Sequence, residues 1–359
     1  MTIDISHFSL PILLLIFAGA AAAVWVAGIY LSNATDVLSK RLGLGQALGG
    51  LILLAIVTNL PEIAITVSAA LHNKLDLAVG NILGGIALQT VVLVVLDAVG
   101  LGKADSLTYR AASLELVLEG VLVIAVLTLV VMGHQLPPSL SGFGVAPASV
   151  LIAVLWVAGI YLIGKSRNNL PWQQTGVPPD SQAGKPGSAT RKNAQSSTQK
   201  DQSTTRQAII FILGAVVTLV GGVALEQSGD AIAGRIGMSG VLFGATVLAA
   251  ATSLPELSTG LASIKLGDYQ LAVSDIFGGN AFLPVLFLVA TLLSGQPVLP
   301  IAQKTDIYLT GLGMLLTTIY LYGLIFRPRW QIARMGVDSL LVLLLYGLGI
   351  GGLFFIANT

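Results

Sequence analysis

The sequence predicts an all-α membrane protein: ten transmembrane helices forming two inverted five-helix repeats, with helices 2 and 7 broken at Pro61 and Pro255. Three observations predict it. The 359 residues are 55% hydrophobic and only 10% charged, with a mean hydropathy of +0.87, outside the range of soluble globular domains. Apolar runs of about 20 residues, enough to cross roughly 30 Å of hydrocarbon, recur along the whole chain. Residues 36–97 and 230–291 are two copies of one segment, related without a gap by an offset of 194.

The runs fall near residues 9–31, 44–71, 76–100, 111–132, 147–164, 207–226, 238–264, 269–294, 306–326 and 337–356. None shows the ten-residue alternation of a membrane barrel, so each reads as a helix. The first lacks a basic leader and a small-residue cleavage site and reads as a retained helix. Residues 166–206 are rich in Ser, Gln, Pro, Gly and Lys and cannot bury enough apolar surface to fold. The expected organisation is a first five-helix repeat over 1–165, a disordered cytoplasmic linker over 166–206, and a second repeat over 207–359. Five is odd, so the second repeat enters from the opposite side. Loops after the odd-numbered helices hold 15 Lys and Arg residues against three on the other face. The positive-inside rule makes those loops cytoplasmic and puts both termini outside.

The duplicated residues carry the chemistry. At the offset of 194, Thr58 matches Thr252, Pro61 matches Pro255, Glu62 matches Glu256, Asn81 matches Asp275, and Gly84-Gly85 matches Gly278-Gly279. A proline inside a span removes one backbone hydrogen bond and crowds the carbonyl four residues back. Freed carbonyls therefore fall beside Thr58 and Thr252, next to Glu62 and Glu256. Carbonyl, hydroxyl and carboxylate oxygens at one bend form the hard-ligand set of calcium and sodium. Glu62 lies about nine residues from the nearest loop, roughly 14 Å deep at 1.5 Å per residue. Acids at that depth are costly unless they bind something. Glu62, Glu256 and Asp275 carry a charge of up to minus three, suited to one divalent cation or several monovalent ions or protons. An empty, self-repelling site of this kind resists crossing between inward-facing and outward-facing states, which is the physical basis of exchange.

Other charged residues carry weaker expectations. Glu115 and Glu119 share a helix face but are not duplicated, and read mainly as packing or cytoplasmic-side charges. Asp97 and Asp306 stand near helix ends, where solvation accounts for them. Asp36, Arg41, Asp230 and Arg235 orient loops. His7, His72 and His134 lack metal-ligand spacing. With no cysteine, thiolate chemistry is excluded. No Ser/His/Asp set or phosphate loop suggests an enzyme.

The segments T-N-L-P-E and T-S-L-P-E, followed at equal spacing by G-N and S-D, resemble the alpha repeats of the cation/calcium exchanger superfamily, the sodium/calcium exchanger membrane region of prokaryotic type. The resemblance covers essentially the whole chain. It implies a secondary active antiporter exchanging Ca2+ for Na+ by alternating access, in the plasma (inner) membrane. Ca2+/H+ antiport is the alternative, and a cation channel a third reading. It implies no resident cofactor; the partners are inorganic cations and the lipid bilayer, not nucleic acid. Glu62 and Glu256 would be central calcium ligands, joined by the carbonyls of Thr58 and Thr252 and flanked by Asn81 and Asp275. The carbonyls of Ala55 and Ala249 and the Asp275 side chain would help form sodium sites. Asn59 stands where the second repeat keeps Ser253. Leu77 and Leu271 replace serines that look like sodium ligands in many sodium-coupled members, so a proton-coupled cycle stays open. The first helix of each half would slide past the rest.

Overall fold

The computed structural model describes residues 7–41, 53–101, 105–140, 145–166 and 203–357. The helices are α1 (Leu10–Arg41), α2 (Leu53–Thr58), α3 (Leu60–Leu71), α4 (Leu75–Val95), α5 (Leu107–Ala111), α6 (Leu114–Gln135), α7 (Pro147–Ser166), α8 (Thr204–Ile236), α9 (Gly240–Phe243), α10 (Ala249–Thr252), α11 (Leu254–Leu266), α12 (Tyr269–Phe282), α13 (Leu286–Ser294), α14 (Lys304–Phe326) and α15 (Val337–Ala357). Among the described residues nine helical stretches are long and apolar enough to cross a membrane. The expected second span, 44–71, is described only from residue 53, as α2 and α3; its first part lies outside the described residues. So does nearly all of the expected linker 166–206.

Helices 2 and 7 are interrupted as expected, two residues upstream of each proline. The turns fall at Asn59 (φ −84°, ψ 14°) and Ser253 (φ −82°, ψ 1°). Pro61 and Pro255 then stand in the opening turn of α3 and α11, where a missing N–H leaves no helical carbonyl unserved. A π-turn at Gly244–Leu248 joins α9 to α10, and another at Leu96–Gly100 ends α4. Gly237, Gly267 and Gly295 close α8, α11 and α13 at positive φ, the left-handed geometry that glycine adopts without a Cβ penalty. A two-residue hairpin, β1 (Gln331–Ile332) with β2 (Met335–Gly336), was not foreseen. Ala333 and Arg334 form its turn, both at positive φ, as a tight hairpin turn requires.

Two apolar cores result. The larger includes Leu83, Ile86, Leu127, Phe277, Phe287 and Tyr320. The smaller joins α1 and α8 to the rest through Leu13, Val24, Ile65, Leu225 and Phe243. Each of these two long helices crosses the broken helix of the other half at a glycine. A Cβ on Gly28 would lie 2.8 Å from Pro255 Cβ, and one on Gly222 would lie 2.9 Å from the Pro61 carbonyl oxygen. Gly28 and Gly222 are themselves 194 apart, so the repeat extends upstream of residue 36.

Candidate cation-binding site

The broken ends of the two helices meet inside the bundle. Glu62 and Glu256 are fully buried, as are Thr58, Asn59, Thr252 and Ser253 beside them. The pairing crosses between repeats: the Thr252 hydroxyl faces Glu62, and the Thr58 hydroxyl faces Glu256. Glu62 and Asp275 are the charged neighbours of Glu256. Asp275 is held by Thr259, whose hydroxyl donates to Oδ2 at 2.6 Å, and lies 3.3 Å through Oδ1 from the Thr58 hydroxyl. The expected carboxylates Glu62, Glu256 and Asp275 therefore share one buried region.

Several oxygens there are left without hydrogen bonds. Glu62 Oε2, both carboxylate oxygens of Glu256, Gln89 Oε1 and Asn280 Oδ1 are buried and unbonded. Asn81 is buried too, with neither atom of its amide bonded. Burying carboxylates unpaired costs several kcal/mol per ion, so the arrangement calls for a cation or protons. Among the described residues no three His, Asp or Glu side chains close around a metal by themselves. Here carboxylates alternate with hydroxyl and amide groups.

The backbone carbonyls are busier. Ala55 O accepts from the Asn59 side-chain amide at 2.6 Å, the Asn59 N–H at 3.3 Å and the Thr58 hydroxyl at 3.3 Å. Ala249 O accepts from the Ser253 hydroxyl at 2.8 Å, the Ser253 N–H at 3.0 Å and the Thr252 hydroxyl at 3.2 Å. A carbonyl oxygen has two lone pairs, so in this conformation neither is free for an ion.

Sequence reasoning missed Gln89. Its Nε2 donates to Glu62 Oε1 at 3.3 Å and to Asn59 Oδ1 at 3.4 Å. An amide inside the apolar run GGIALQTVV was the available signal, but its counterpart is Leu283 and duplication did not flag it. Glu119, read mainly as a packing or cytoplasmic-side charge, is buried, with both oxygens 2.8 Å from the hydroxyl of Ser274, the residue preceding Asp275. Glu226 also went unremarked. It is buried, accepts from Ser68 Oγ at 2.8 Å and lies 3.9 Å from His72 Nδ1. The expectation that Asp97 and Asp306 are solvated is overturned: both are buried. Asp97 accepts from Leu107 N–H at 2.8 Å and Gly336 N–H at 2.7 Å, and Asp306 from Gln303 N–H at 2.6 Å. These carboxylates draw loop backbone over themselves instead of facing water. Lys74 bridges to Asp230 at 3.1 Å, and Arg41 donates to the Thr204 hydroxyl, consistent with loop-orienting roles.

The fold and site define a class: polytopic membrane proteins made of two repeats that bring broken helices and their acids together at a shared centre. The family model described as sodium/calcium exchanger protein matches residues 12–165 and 206–355, and the chain belongs to that family. It is 26% identical over 310 residues to Inner membrane protein YrbG of Escherichia coli (strain K12), covering 86% of both chains. It is 26% identical over 267 residues to Putative antiporter CaxA of Alkalimonas amylolytica, covering 74% of this chain and 76% of that protein. Its fold matches the sodium-calcium exchanger NCX_Mj (TM-score 0.59, 16% identity, 96% of this chain and 99% of that one). It also matches the H+/Ca2+ exchanger CAX (TM-score 0.58, 16% identity, 96% and 91%). The chain is thus a multi-pass integral membrane protein of a cation/calcium exchanger family.

Proposed function

We propose that this chain is a secondary active antiporter moving Ca2+ across the plasma (inner) membrane by alternating access. The cation would bind between Glu62 and Glu256, with Asp275, Asn81, Gln89 and oxygens of Thr58 and Thr252 around it. Two five-helix halves, 1–165 and 207–359, would flank a cytoplasmic linker, with both termini outside. The observation that carries this reading is the set of three buried, unbonded carboxylate oxygens on two duplicated glutamates. Their charge is tolerable when a divalent cation or protons neutralise it, and that alternation is the exchange.

The resemblance implies Na+ as the counter-ion, but the geometry favours H+. Leu77 is fully buried at one of the two positions where many sodium-coupled relatives carry serine, and the carbonyls of Ala55 and Ala249 are saturated by intrachain bonds. Carboxylates need no such ligands to take up protons. Calcium uptake into proteoliposomes under separately imposed proton and sodium gradients tests this. Uptake driven by the proton gradient is expected; uptake driven by sodium alone would reverse the counter-ion assignment.

A further inference from the structure

A second group of buried oxygens lies apart from the duplicated site, where the π-turn ending α4, the start of α5 and the first turn of α15 meet. Asp97 and Asp338 come together there around Gly336. A Cβ on Gly336 would touch Asp338 Oδ1 and lie 3.3 Å from Asp97 Oδ2. Asp338 is 6% exposed, yet neither of its carboxylate oxygens has a hydrogen-bond partner. The Thr108 hydroxyl, 2% exposed, faces it without closing a bond. Gly323 packs directly on Asp338 Oδ2, with no room for a side chain. No basic side chain among the described residues bonds Asp338.

Structural needs do not explain these charges. Asp97 caps the loop by accepting two backbone N–H groups. Its counterpart at the 194-residue offset is Thr291, whose hydroxyl does the same for Val298 N–H at 3.4 Å. Closing that loop takes an acceptor, not an anion. Asp338 has a glycine, residue 144, at the corresponding position, so it is no part of the duplicated machinery. Two carboxylates, each able to accept further bonds, and a hydroxyl form a hard-oxygen cluster of the kind that suits one divalent cation such as calcium.

We propose that Asp97, Asp338 and Thr108 form a second divalent-cation site, separate from the transport site, that pins the 327–336 hairpin to the ends of α4 and α15. The charge distribution assigns this end of the bundle to the cytoplasm, where such a site would read cytosolic calcium. The hairpin is already held on α5: Arg327 Nη2 donates to the Tyr109 carbonyl at 3.2 Å, and the Arg327 and Arg329 guanidinium groups sit 4.9 Å over the Tyr109 ring. A cation would add a neutralising bridge on the other side.

Equilibrium binding of radioactive calcium to the purified full chain tests this, using Glu62→Gln/Glu256→Gln to disable the transport site. One Ca2+ per chain is expected to remain, and to be lost when Asp338→Asn is added. No binding in the double variant, or retained binding indifferent to Asp338→Asn, would overturn the proposal. Thr108→Val guards against simple misfolding: it should weaken the residual affinity while leaving the calcium-free melting temperature unchanged, and unaltered affinity would count against the site. Because the central glutamates are absent throughout, the result is independent of whether the antiport reading holds.

Discussion

Gln89 shows how much of the site rests on a side chain that does not repeat. Its amide orients Glu62 Oε1 and Asn59 Oδ1 together while its own oxygen stays unbonded beside them. Losing a group that orients a ligand typically costs about 10–100-fold in metal affinity. Gln89→Leu should therefore raise the calcium KM by about that factor in proteoliposome uptake, with Gln89→Asn between the two; an unchanged KM would remove Gln89 from the site. Glu62 and Glu256 were legible in the sequence because duplication multiplied a weak signal, an acid beside a proline in an apolar run. Gln89 and Glu119 were not, since they sit opposite Leu283 and Gly313 in the other repeat. Asp97 misled for a different reason. Sequence position puts it at a helix end, but only the fold shows the 327–336 hairpin closing over it.

At the scale of elements, α1 and α8 pack on the broken helices through glycine crossings as well as through apolar side chains such as Val24 and Leu225. Gly28 meets Pro255 and Gly222 meets Pro61, which brings the helices close at each crossing. Gly222→Val would force the backbone of α3 away, at about 1–3 kcal/mol for overpacking, and should lower the melting temperature and abolish uptake together. Each half carries a different polar tie, and on α1 the Trp25 indole donates to the Ser258 hydroxyl of α11. Glu226 on α8 holds Ser68 and neighbours His72 at the far end of α3, whereas the corresponding residues of the other half are Ser32, Ala262 and Leu266. Glu226→Gln should loosen only that end. Since the chain has no cysteine, a single cysteine at buried Ala69 can report it: maleimide labelling should quicken several-fold in Glu226→Gln, and an unaltered rate would show that the tie holds nothing shut. The breaks themselves were legible from Pro61 and Pro255. Their placement at Asn59 and Ser253 was not, because proline disfavours the preceding turn without specifying which residue leaves the helix.

For the whole molecule, hydropathy located the described spans, because burial in lipid imposes a length and a composition that any sequence must show, but it ended the first and sixth about ten residues short of Arg41 and Ile236. It could not reveal the π-turns, nor α5 and the hairpin, whose backbone N–H groups at Leu107 and Gly336 bond the buried Asp97. The orientation proposed from the Lys and Arg distribution predicts that a cysteine at Ser9 reacts with an impermeant reagent in intact cells, while one at Ser181 reacts only after lysis. The reverse pattern would invert the molecule. The central claim, calcium antiport at the paired glutamates, is tested most directly by calcium uptake into proteoliposomes under an imposed counter-ion gradient, comparing the unmodified chain with Glu62→Gln and Glu256→Gln. The account predicts gradient-dependent uptake that either substitution abolishes. Uptake surviving both substitutions, or no calcium movement under a proton or a sodium gradient, would contradict it.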